Sequence, residues 1–201
     1  MNSEKQQVMH VHGGSPWGSY DRYLEYLRTK EVGIVDTIQT TRWHYNYLSF
    51  LSPEFYEVIR PEMPCKQNAH YLEWKIWFER HLEFLRDDII LVGHSLGGNF
   101  LAKYLSENVF PISIKQLHLV APSHSAFDDD FKITNFPKDF NKNIVQEIHI
   151  YHSSDDTVVP ITESEKYHTQ LPGSQFHRFT DRFHFIGEDF PELFDHINKS
   201  L

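Results

Sequence analysis

Short apolar runs alternate along the chain with longer segments whose apolar residues recur at helical spacing. Short apolar runs are typical of strands that are buried on both faces, as in parallel sheets covered by helices. The pattern predicts strands at residues 7–11, 56–60, 88–93, 114–120, 144–152 and 175–180. It predicts helices at residues 19–30, 42–51, 69–85, 97–107, 162–171 and 191–201. The expected fold class is therefore α/β, with a mostly parallel central sheet of about six strands and helices on both faces.

The helix predicted at residues 69–85 has the clearest amphipathic pattern. Its apolar face contains Tyr71, Leu72, Trp74, Trp77, Phe78, Leu82 and Leu85. Its other face is largely made of Glu73, Lys75, Glu79, Arg80 and Glu83. Because a helix buries the face that carries its apolar residues, we expect both tryptophans to lie in the core.

The least regular stretch of the chain is residues 122–143, which lies between one predicted strand and the next. A segment at this place could cover a site at the edge of the sheet as a short lid. It is too short for a separate cap domain. We therefore expect little or no cap, and a single domain that comprises residues 1–201.

The composition fits one globular domain. Apolar residues make up 40% of the 201 residues and aromatic residues 15%, which suffices for a continuous core. No apolar stretch approaches the roughly 18 residues that a membrane-spanning helix needs, so we expect no membrane partner. The lone cysteine, Cys65, excludes an internal disulfide and is compatible with a reducing compartment, so a cytoplasmic location is expected.

The charge balance argues against nucleic acid as a partner. The formal net charge is −9, and the sequence contains no cluster of lysine or arginine. A protein that binds a phosphate backbone needs a basic surface. The acidic run Asp128, Asp129 and Asp130 is interpreted as solvated loop surface.

A serine lies where a predicted strand passes into a predicted helix. The sequence GHSLG, residues 93–97, follows an aliphatic run and precedes an amphipathic segment. G-x-S-x-G at such a turn is the pattern of a nucleophile elbow, in which a strained serine presents its hydroxyl above the sheet. Side chains at Gly93 and Gly97 would collide as the strand and the helix close on each other. The pattern predicts Ser95 as a nucleophile and the N–H of Leu96 as a donor to a developing oxyanion.

A serine nucleophile needs a base, and the base needs a carboxylate that orients it. Two acids, Asp155 and Asp156, follow the strand predicted at residues 144–152, at the edge of the sheet where parallel strands gather their ligands. The spacing does not decide between them. His184 follows the last predicted strand and is the expected base, while His177, which lies inside that strand, is the alternative.

The turn after the first strand, His12-Gly13-Gly14-Ser15, is expected to supply a second oxyanion donor. Gly14 is the expected donor because it follows the His-Gly pair, and Ser15 is the alternative. His10 and His12 share one face of the strand, which raises the question of a metal. No third ligand at suitable spacing accompanies them, so neither a metal nor any other cofactor is expected.

Five segments together resemble a known family. They are the His-Gly-Gly turn, Arg60-Pro61-Glu62-Met63-Pro64, Gly-His-Ser-Leu-Gly-Gly, Ser-Asp-Asp followed by Val-Val-Pro, and a late Phe-His-Phe. The chain is similar, over most of its length, to the small serine hydrolases of the α/β-hydrolase superfamily that are related to retinoblastoma-binding protein 9 and bacterial YdeN. The resemblance implies a nearly capless α/β-hydrolase fold with a Ser-His-Asp triad. It also implies Asp156 as the triad acid, since the family's carboxylate stands four residues before the proline.

Two segments depart from the pattern of that family. Residues 37–53 are expected to form an extra helix beside the first turn and to narrow access to the site. The aromatic residues of this segment include Trp43, Tyr45, Tyr47 and Phe50. Arg182 and Phe183 stand where the family often has glycine before the histidine.

The expected function is hydrolysis of carboxylic esters through an acyl-enzyme intermediate, with thioesters and small amides as further substrates. The expected partner is a small-molecule acyl substrate, and Trp17 and Phe127 are candidates for the wall of its pocket. Two alternatives stay open. The same triad could transfer the acyl group to an acceptor other than water or serve a lyase, and the fold could carry a protein-interaction module without activity.

Overall fold

The computed structural model describes residues 4–31, 42–124, 129–133 and 145–199. The strands in these ranges are β1 (Gln6–Val11), β2 (Tyr56–Ile59), β3 (Ile89–His94), β4 (Ile114–Val120), β5 (Val145–Ser153) and β6 (Gln175–Phe179). They form one parallel sheet in the order β2-β1-β3-β4-β5-β6. Each strand coincides with a predicted strand to within one residue at either end, which confirms the predicted α/β architecture.

The strand order has a switch point between β1 and β3, where successive connections turn to opposite sides of the sheet. Ligands of open parallel sheets bind beyond the carboxyl ends of the strands at such a point. Val11 at the end of β1 pairs with Gly93 near the end of β3, so the turns that follow the two strands leave the sheet side by side. These turns carry the His-Gly-Gly and Gly-His-Ser-Leu-Gly sequences.

The α-helices of the described ranges are α1 (Tyr20–Thr29), α2 (Tyr71–Glu79), α3 (Leu96–Glu107), α4 (Ile161–Gln170) and α5 (Pro191–Asn198). The first, third and fourth of them match predicted helices to within one residue at each end. The last begins at the predicted residue, and residues 200 and 201 lie outside the described ranges. In the same ranges, no helix is both long enough and apolar enough to pass through a membrane.

The prediction of a helix at residues 42–51 is wrong. The segment forms two 3₁₀ turns, Trp43–Tyr45 and Tyr47–Ser49. Asn46 between them has φ −112° and ψ 33°, outside the α-helical region. Aromatic residues and asparagine have modest helix propensity, and the two short turns allow Trp43 and Tyr47 both to be buried. Residues 37–41 of the predicted extra helix lie outside the described ranges.

The helix predicted at residues 69–85 is shorter than expected. It is α-helical over α2 alone, and a 3₁₀ turn, Leu82–Phe84, follows it. The backbone N–H of His81 donates to the carbonyl oxygen of Phe78 at 2.9 Å, an i to i−3 bond that tightens the chain and ends the α-helix.

One narrow face of α2 reaches the core. Trp74 and Phe78, four residues apart, both contact the ring of Phe100 on α3. Trp77 is 39% exposed, so the expectation that both tryptophans lie in the core is wrong for this residue. Its ring packs on His81 at the surface instead.

Buried residues at alternate positions of the strands form a core on each face of the sheet. On one face, Val11 and Leu91 pack with residues of α2, α3 and α4. On the other face, Ile90 and Val92 pack with residues of α5 and of the two 3₁₀ turns that begin at Trp43. Helices therefore cover both faces, as the sequence predicts.

Candidate active site

Ser95 occupies the turn between β3 and α3 with φ 54° and ψ −123°. A positive φ is unfavourable for a residue with a side chain, and such strain persists only where the surroundings enforce it. A Cβ on Gly97 would lie 2.1 Å from the carbonyl oxygen of Val11, and one on Gly93 would lie 2.6 Å from the Cα of Gly98. The glycines therefore allow the close approach of strand and helix that raises Ser95 above the sheet.

The structure brings Ser95, His184 and Asp156 together from distant parts of the chain. Nε2 of His184 lies 2.9 Å from Oγ of Ser95, and its Nδ1 lies 2.7 Å from Oδ2 of Asp156. A carboxylate can only accept, so Nδ1 carries the ring proton and Nε2 accepts from the serine hydroxyl. The three side chains thus have the order and the tautomer that removal of a serine proton requires.

His177, the alternative base, does not approach Ser95. It lies within β6, and its Nε2 lies 3.1 Å from Nδ1 of His149 on β5. Its ring also stacks on Tyr151 and packs against His196 of α5. The side chain of His177 therefore belongs to a cluster of rings between the sheet and α5.

The carboxylate of Asp156 is buried and fully hydrogen-bonded. Its Oδ1 accepts from the backbone N–H groups of Val158 and Val159 at 2.8 and 2.9 Å, while Oδ2 faces His184. Burial raises the pKa of Asp156, but the hydrogen bonds from His184 and Val159 outweigh burial and hold that pKa below its usual value. Asp156 therefore stays negatively charged beside the ring of His184.

Asp155, the other candidate acid, faces the loop that precedes His184. Its Oδ1 accepts from the backbone N–H of Phe183 at 3.0 Å and from the hydroxyl of Ser153 at 2.5 Å. The same hydroxyl accepts from the backbone N–H of Arg182 at 3.1 Å. Asp155 thus positions the loop of His184, a role that sequence reasoning missed. The Ser-x-Asp spacing was the available signal, since such short side chains often bond to nearby backbone.

Two buried histidines beside the triad, His94 and His152, were also not predicted as parts of the site. Nε2 of His94 donates to the carbonyl oxygen of His184 at 2.9 Å, and burial holds the pKa of His94 well below its usual value. Nε2 of His152 donates to the carbonyl oxygen of Val159 at 2.9 Å and lies 3.5 Å from Oδ2 of Asp156. Their neutral rings support the backbone and the carboxylate around His184. No sequence signal distinguishes them, because their partners are distant in the chain or set by the loop.

Leu96 and the turn after β1 lie next to each other above the sheet. Leu96 is the first residue of α3, so its N–H has no acceptor within the helix. The N–H of Ser15 donates to the carbonyl oxygen of Lys66 at 2.8 Å, so this N–H is not free to stabilise an oxyanion. Gly14 therefore stays the predicted second donor.

A cavity of about 370 Å³ adjoins Ser95 and His184. Its lining includes the polar and charged residues His10, His44, His94, Arg42, Arg60 and Lys66. Trp17 does not line it: its Nε1 donates to the carbonyl oxygen of Gln67 at 2.9 Å, and its ring stacks on Tyr26. Phe127, the other residue expected in the pocket wall, lies outside the described ranges.

The segment after residue 41 was expected to narrow access to the site through aromatic residues such as Trp43 and Tyr47, but other residues of the segment line the cavity. Trp43 and Tyr47 do not narrow it, since both are fully buried in the core beneath. Arg42, His44 and Tyr45 line it instead. Lys66, which also lines the cavity, is preceded by the one cysteine of the chain, whose thiol is free and exposed.

His10 and His12, at the end of β1, do not form a metal site. Nδ1 of His12 donates to the carbonyl oxygen of Gly13 at 2.7 Å, and Nε2 accepts from the backbone N–H of Met63 at 2.8 Å. One group in the described part of the chain has nitrogens within 4.8 Å of one another and could hold a metal ion, namely His149, His177 and His196. That group does not line the cavity.

Comparisons with known proteins identify the family and the fold of the chain. The model of a family described as serine hydrolase matches residues 39–189. The ydeN gene product of B. subtilis is similar in structure, with a TM-score of 0.77, 16% identity and 98% of each chain covered. An esterase domain from a Rhodothermus marinus protein has a TM-score of 0.65 and 14% identity, over 96% of this chain and 84% of that one.

A third solved structure is an α/β-hydrolase enzyme from the metagenome of lagoon sediments at Mar Chica, Morocco. It has a TM-score of 0.61 and 17% identity, and the match covers 98% of this chain and 90% of that one. Likeness at such identities concerns the fold, which is the predicted α/β-hydrolase fold. No curated protein sequence matches the chain.

Proposed function

Since this chain belongs to the serine hydrolase family, we propose that it hydrolyses carboxylic esters at Ser95. Ser95 is the nucleophile, His184 the general base and Asp156 the carboxylate that orients the base. The observation that carries the proposal is the pair of hydrogen bonds on His184, 2.9 Å to Ser95 and 2.7 Å to Asp156. A serine hydroxyl is a weak nucleophile at neutral pH, and a base held in this way activates it.

Acylation begins when Oγ of Ser95 attacks the ester carbonyl carbon and its proton passes to Nε2 of His184. The carbonyl oxygen becomes an oxyanion, to which the N–H groups of Leu96 and Gly14 donate. The tetrahedral intermediate then breaks its bond to the alkoxy oxygen. His184 returns the proton to this oxygen, so the alcohol leaves and Ser95 carries the acyl group.

Deacylation repeats these steps with water as the nucleophile. His184 takes a proton from water as the water oxygen attacks the acyl carbon, and gives it back to Oγ as the bond to Ser95 breaks. The carboxylic acid leaves and the serine is restored. Asp156 stays ionised and stabilises the imidazolium that forms in each half of the cycle.

Esters are the favoured substrate class because an alkoxide leaves a tetrahedral intermediate with less proton transfer than an amine needs. Thioesters meet the same condition, and small amides meet it less well. One of the proteins similar in fold is described as an esterase domain.

A fluorophosphonate probe tests the proposed nucleophile, because it bonds covalently to activated serines. We expect intact-protein mass spectrometry to show one label on the wild type and none on Ser95→Ala. Ser15→Ala is the matched control, since Ser15 lines the same cavity but is not bonded to His184. Equal labelling of wild type and Ser95→Ala would remove the assignment.

Product analysis separates hydrolysis from acyl transfer. Wild-type protein is incubated with 4-nitrophenyl acetate in the presence and absence of a small alcohol as acceptor. We expect free acetate to be the main product in both samples. A new ester as the main product at millimolar alcohol would make the protein an acyltransferase.

A further inference from the structure

The cavity beside Ser95 carries positive charge, although the net charge of the protein is −9. Arg42, Arg60 and Lys66 line it, and Glu62 is the one carboxylate in its described lining. Glu62 pairs with Lys66 at 2.5 Å. Neither arginine forms an ion pair with any residue that the structure describes, although the charge of Arg60 helps to lower the pKa of Glu62.

The two arginines also retain unused hydrogen-bond donors. A guanidinium has five N–H donors arranged in a plane. Nη1 of Arg60 donates to the carbonyl oxygen of Tyr45 at 3.0 Å, and its guanidinium lies 5.5 Å from the centre of the Tyr45 ring, which holds the group in place. Nε of Arg42 is buried and has no hydrogen-bond partner.

Two buried histidines that line the cavity also have a ring nitrogen without a hydrogen-bond partner. Nε2 of His10 and Nδ1 of His44 have no hydrogen-bond partner, and both residues are more than nine-tenths buried. Burial lowers the pKa of His44 to about 4 and holds the pKa of His10 well below its usual value, so both rings are neutral at physiological pH. Buried polar atoms of folded proteins are nearly always hydrogen-bonded, so two such atoms without a partner next to one cavity are unusual.

We propose that the substrate of this enzyme carries an anionic oxygen group, in its simplest form a carboxylate, which Arg42 and Arg60 bind while the ester carbonyl lies at Ser95. The inference rests on the proposed function and specifies its substrate class. A carboxylate accepts two parallel hydrogen bonds from one guanidinium, which makes it a better ligand here than a neutral chain. A plain alkyl chain would take the arginines out of water without supplying acceptors.

Matched pairs of chromogenic esters test the inference. For an anion on the acyl side, the mono-4-nitrophenyl ester of adipic acid is compared with 4-nitrophenyl heptanoate, a neutral ester of similar length. For an anion on the alcohol side, 3-carboxy-4-nitrophenyl acetate is compared with 4-nitrophenyl acetate. We expect kcat/KM to be about tenfold higher or more for the anionic member of one pair, as a charge-assisted hydrogen bond implies.

Substitution of the arginines assigns the preference to the cavity. Arg42→Gln and Arg60→Gln should each lower the anionic-to-neutral ratio of kcat/KM about tenfold, the effect of losing one charge-assisted bond. Arg80→Gln is the matched control, because Arg80 is exposed beyond the end of α2 and outside the cavity, and it should leave the ratio unchanged. Melting temperatures show whether each variant is folded.

A measurement on the wild type keeps the test independent of the variants. Free adipate should slow labelling of Ser95 by the fluorophosphonate, and its neutral analogue 1,6-hexanediol should not. Raised salt should weaken the protection by adipate.

Ratios near one in both ester pairs overturn the inference, as does a ratio that survives both arginine substitutions. If Ser95 is still labelled and the neutral esters are still cleaved, the proposed function stands and the anionic substrate class alone is wrong. If no ester is cleaved and Ser95 is not labelled, the proposed function fails and the inference fails with it.

Discussion

Nε1 of Trp43 donates a hydrogen bond of 2.8 Å to the carbonyl oxygen of Phe185, the residue that follows His184. The backbone N–H of Trp43 also donates to the carbonyl oxygen of Gly187 at 3.2 Å. Phe183 and Phe185, on either side of His184, both have positive φ, at 47° and 52°. Such backbone is strained, so the loop keeps its shape through contacts of this kind.

Trp43→Phe removes the indole donor and keeps an aromatic ring in the core. The carbonyl oxygen of Phe185 then loses a buried partner, which costs about 1–3 kcal/mol. If part of that cost moves His184 away from Ser95, kcat for an ester should fall about tenfold while KM changes little.

Trp77→Phe is the matched control for Trp43→Phe, because Trp77 is partly exposed on α2. It should change neither kcat nor the melting temperature appreciably. A lower melting temperature with an unchanged kcat in Trp43→Phe would restrict the role of Trp43 to stability.

Asp156→Asn and Asp155→Asn separate the two adjacent acids. An amide at residue 156 can donate to Nδ1 of His184 and so favour the wrong ring tautomer, a change that costs on the order of 10⁴ in kcat in serine proteases. Asp155→Asn keeps an acceptor for the N–H of Phe183. Its kcat should therefore stay within about tenfold of the wild type, about 1.4 kcal/mol of barrier.

Steady-state kinetics on one chromogenic ester distinguish these variants. The larger loss at residue 155 would reverse the assignment of the triad acid. Mild losses at both residues would mean that neither carboxylate orients His184 during catalysis.

Four neutral histidines should make the protein less stable in mild acid. Burial is the main cause that lowers the pKa of His118, His149, His177 and His196, and for His177 it brings the pKa to about 4. The pKa of a histidine in the unfolded chain is about 6.5. Between these values the unfolded chain binds protons that the folded chain does not, so stability is complete above about pH 6.5 and is lost as the pH falls toward 4.

Urea unfolding between pH 7.5 and 5 measures this loss. Each histidine that stays neutral in the folded state contributes at most about 1.4 kcal/mol per pH unit to the slope. His177→Gln should make the slope shallower, because glutamine does not titrate. An equal slope in wild type and variant would show that His177 does not contribute to the loss of stability in acid.

Ser95→Gly should be more stable than Ser95→Ala. Glycine adopts the positive φ of 54° without the steric cost that any Cβ brings, a difference of about 1 kcal/mol. Both variants lack the hydroxyl, so both should be inactive toward esters. Equal midpoints of urea unfolding would mean that the turn is not strained by the serine side chain.

The strands could be predicted because each apolar run carries its own signal and pairs with similar runs in the sheet. The turn at Ser95 could be predicted for a related reason, since Gly93 and Gly97 are required by local close approach. The segment at residues 42–51 could not, because aromatic residues at near-helical spacing fit either one α-helix or two 3₁₀ turns. The choice was made by the burial of Trp43 and Tyr47 against α5, a contact that lies far away in the chain.

The surroundings of the site were harder to predict than its centre. His94 acts through the carbonyl oxygen of His184, and a distant backbone partner leaves no trace in residue types. For Asp155, which accepts from the N–H of Phe183, the Ser-x-Asp spacing was the one available signal. The positive lining of the cavity is assembled from Arg42 and, in a separate stretch of the chain after β2, Arg60 and Lys66. The absence of a basic cluster in the sequence therefore did not imply the absence of one in space.

Cys65 allows a label to be attached next to this site. Its thiol is exposed, and the next residue, Lys66, lines the cavity. A maleimide dye on this single cysteine would report on cavity occupancy without any engineered residue. Because a thiol reagent such as iodoacetamide would modify a residue next to the lining, slower ester turnover after such treatment would not indicate a cysteine nucleophile in this protein.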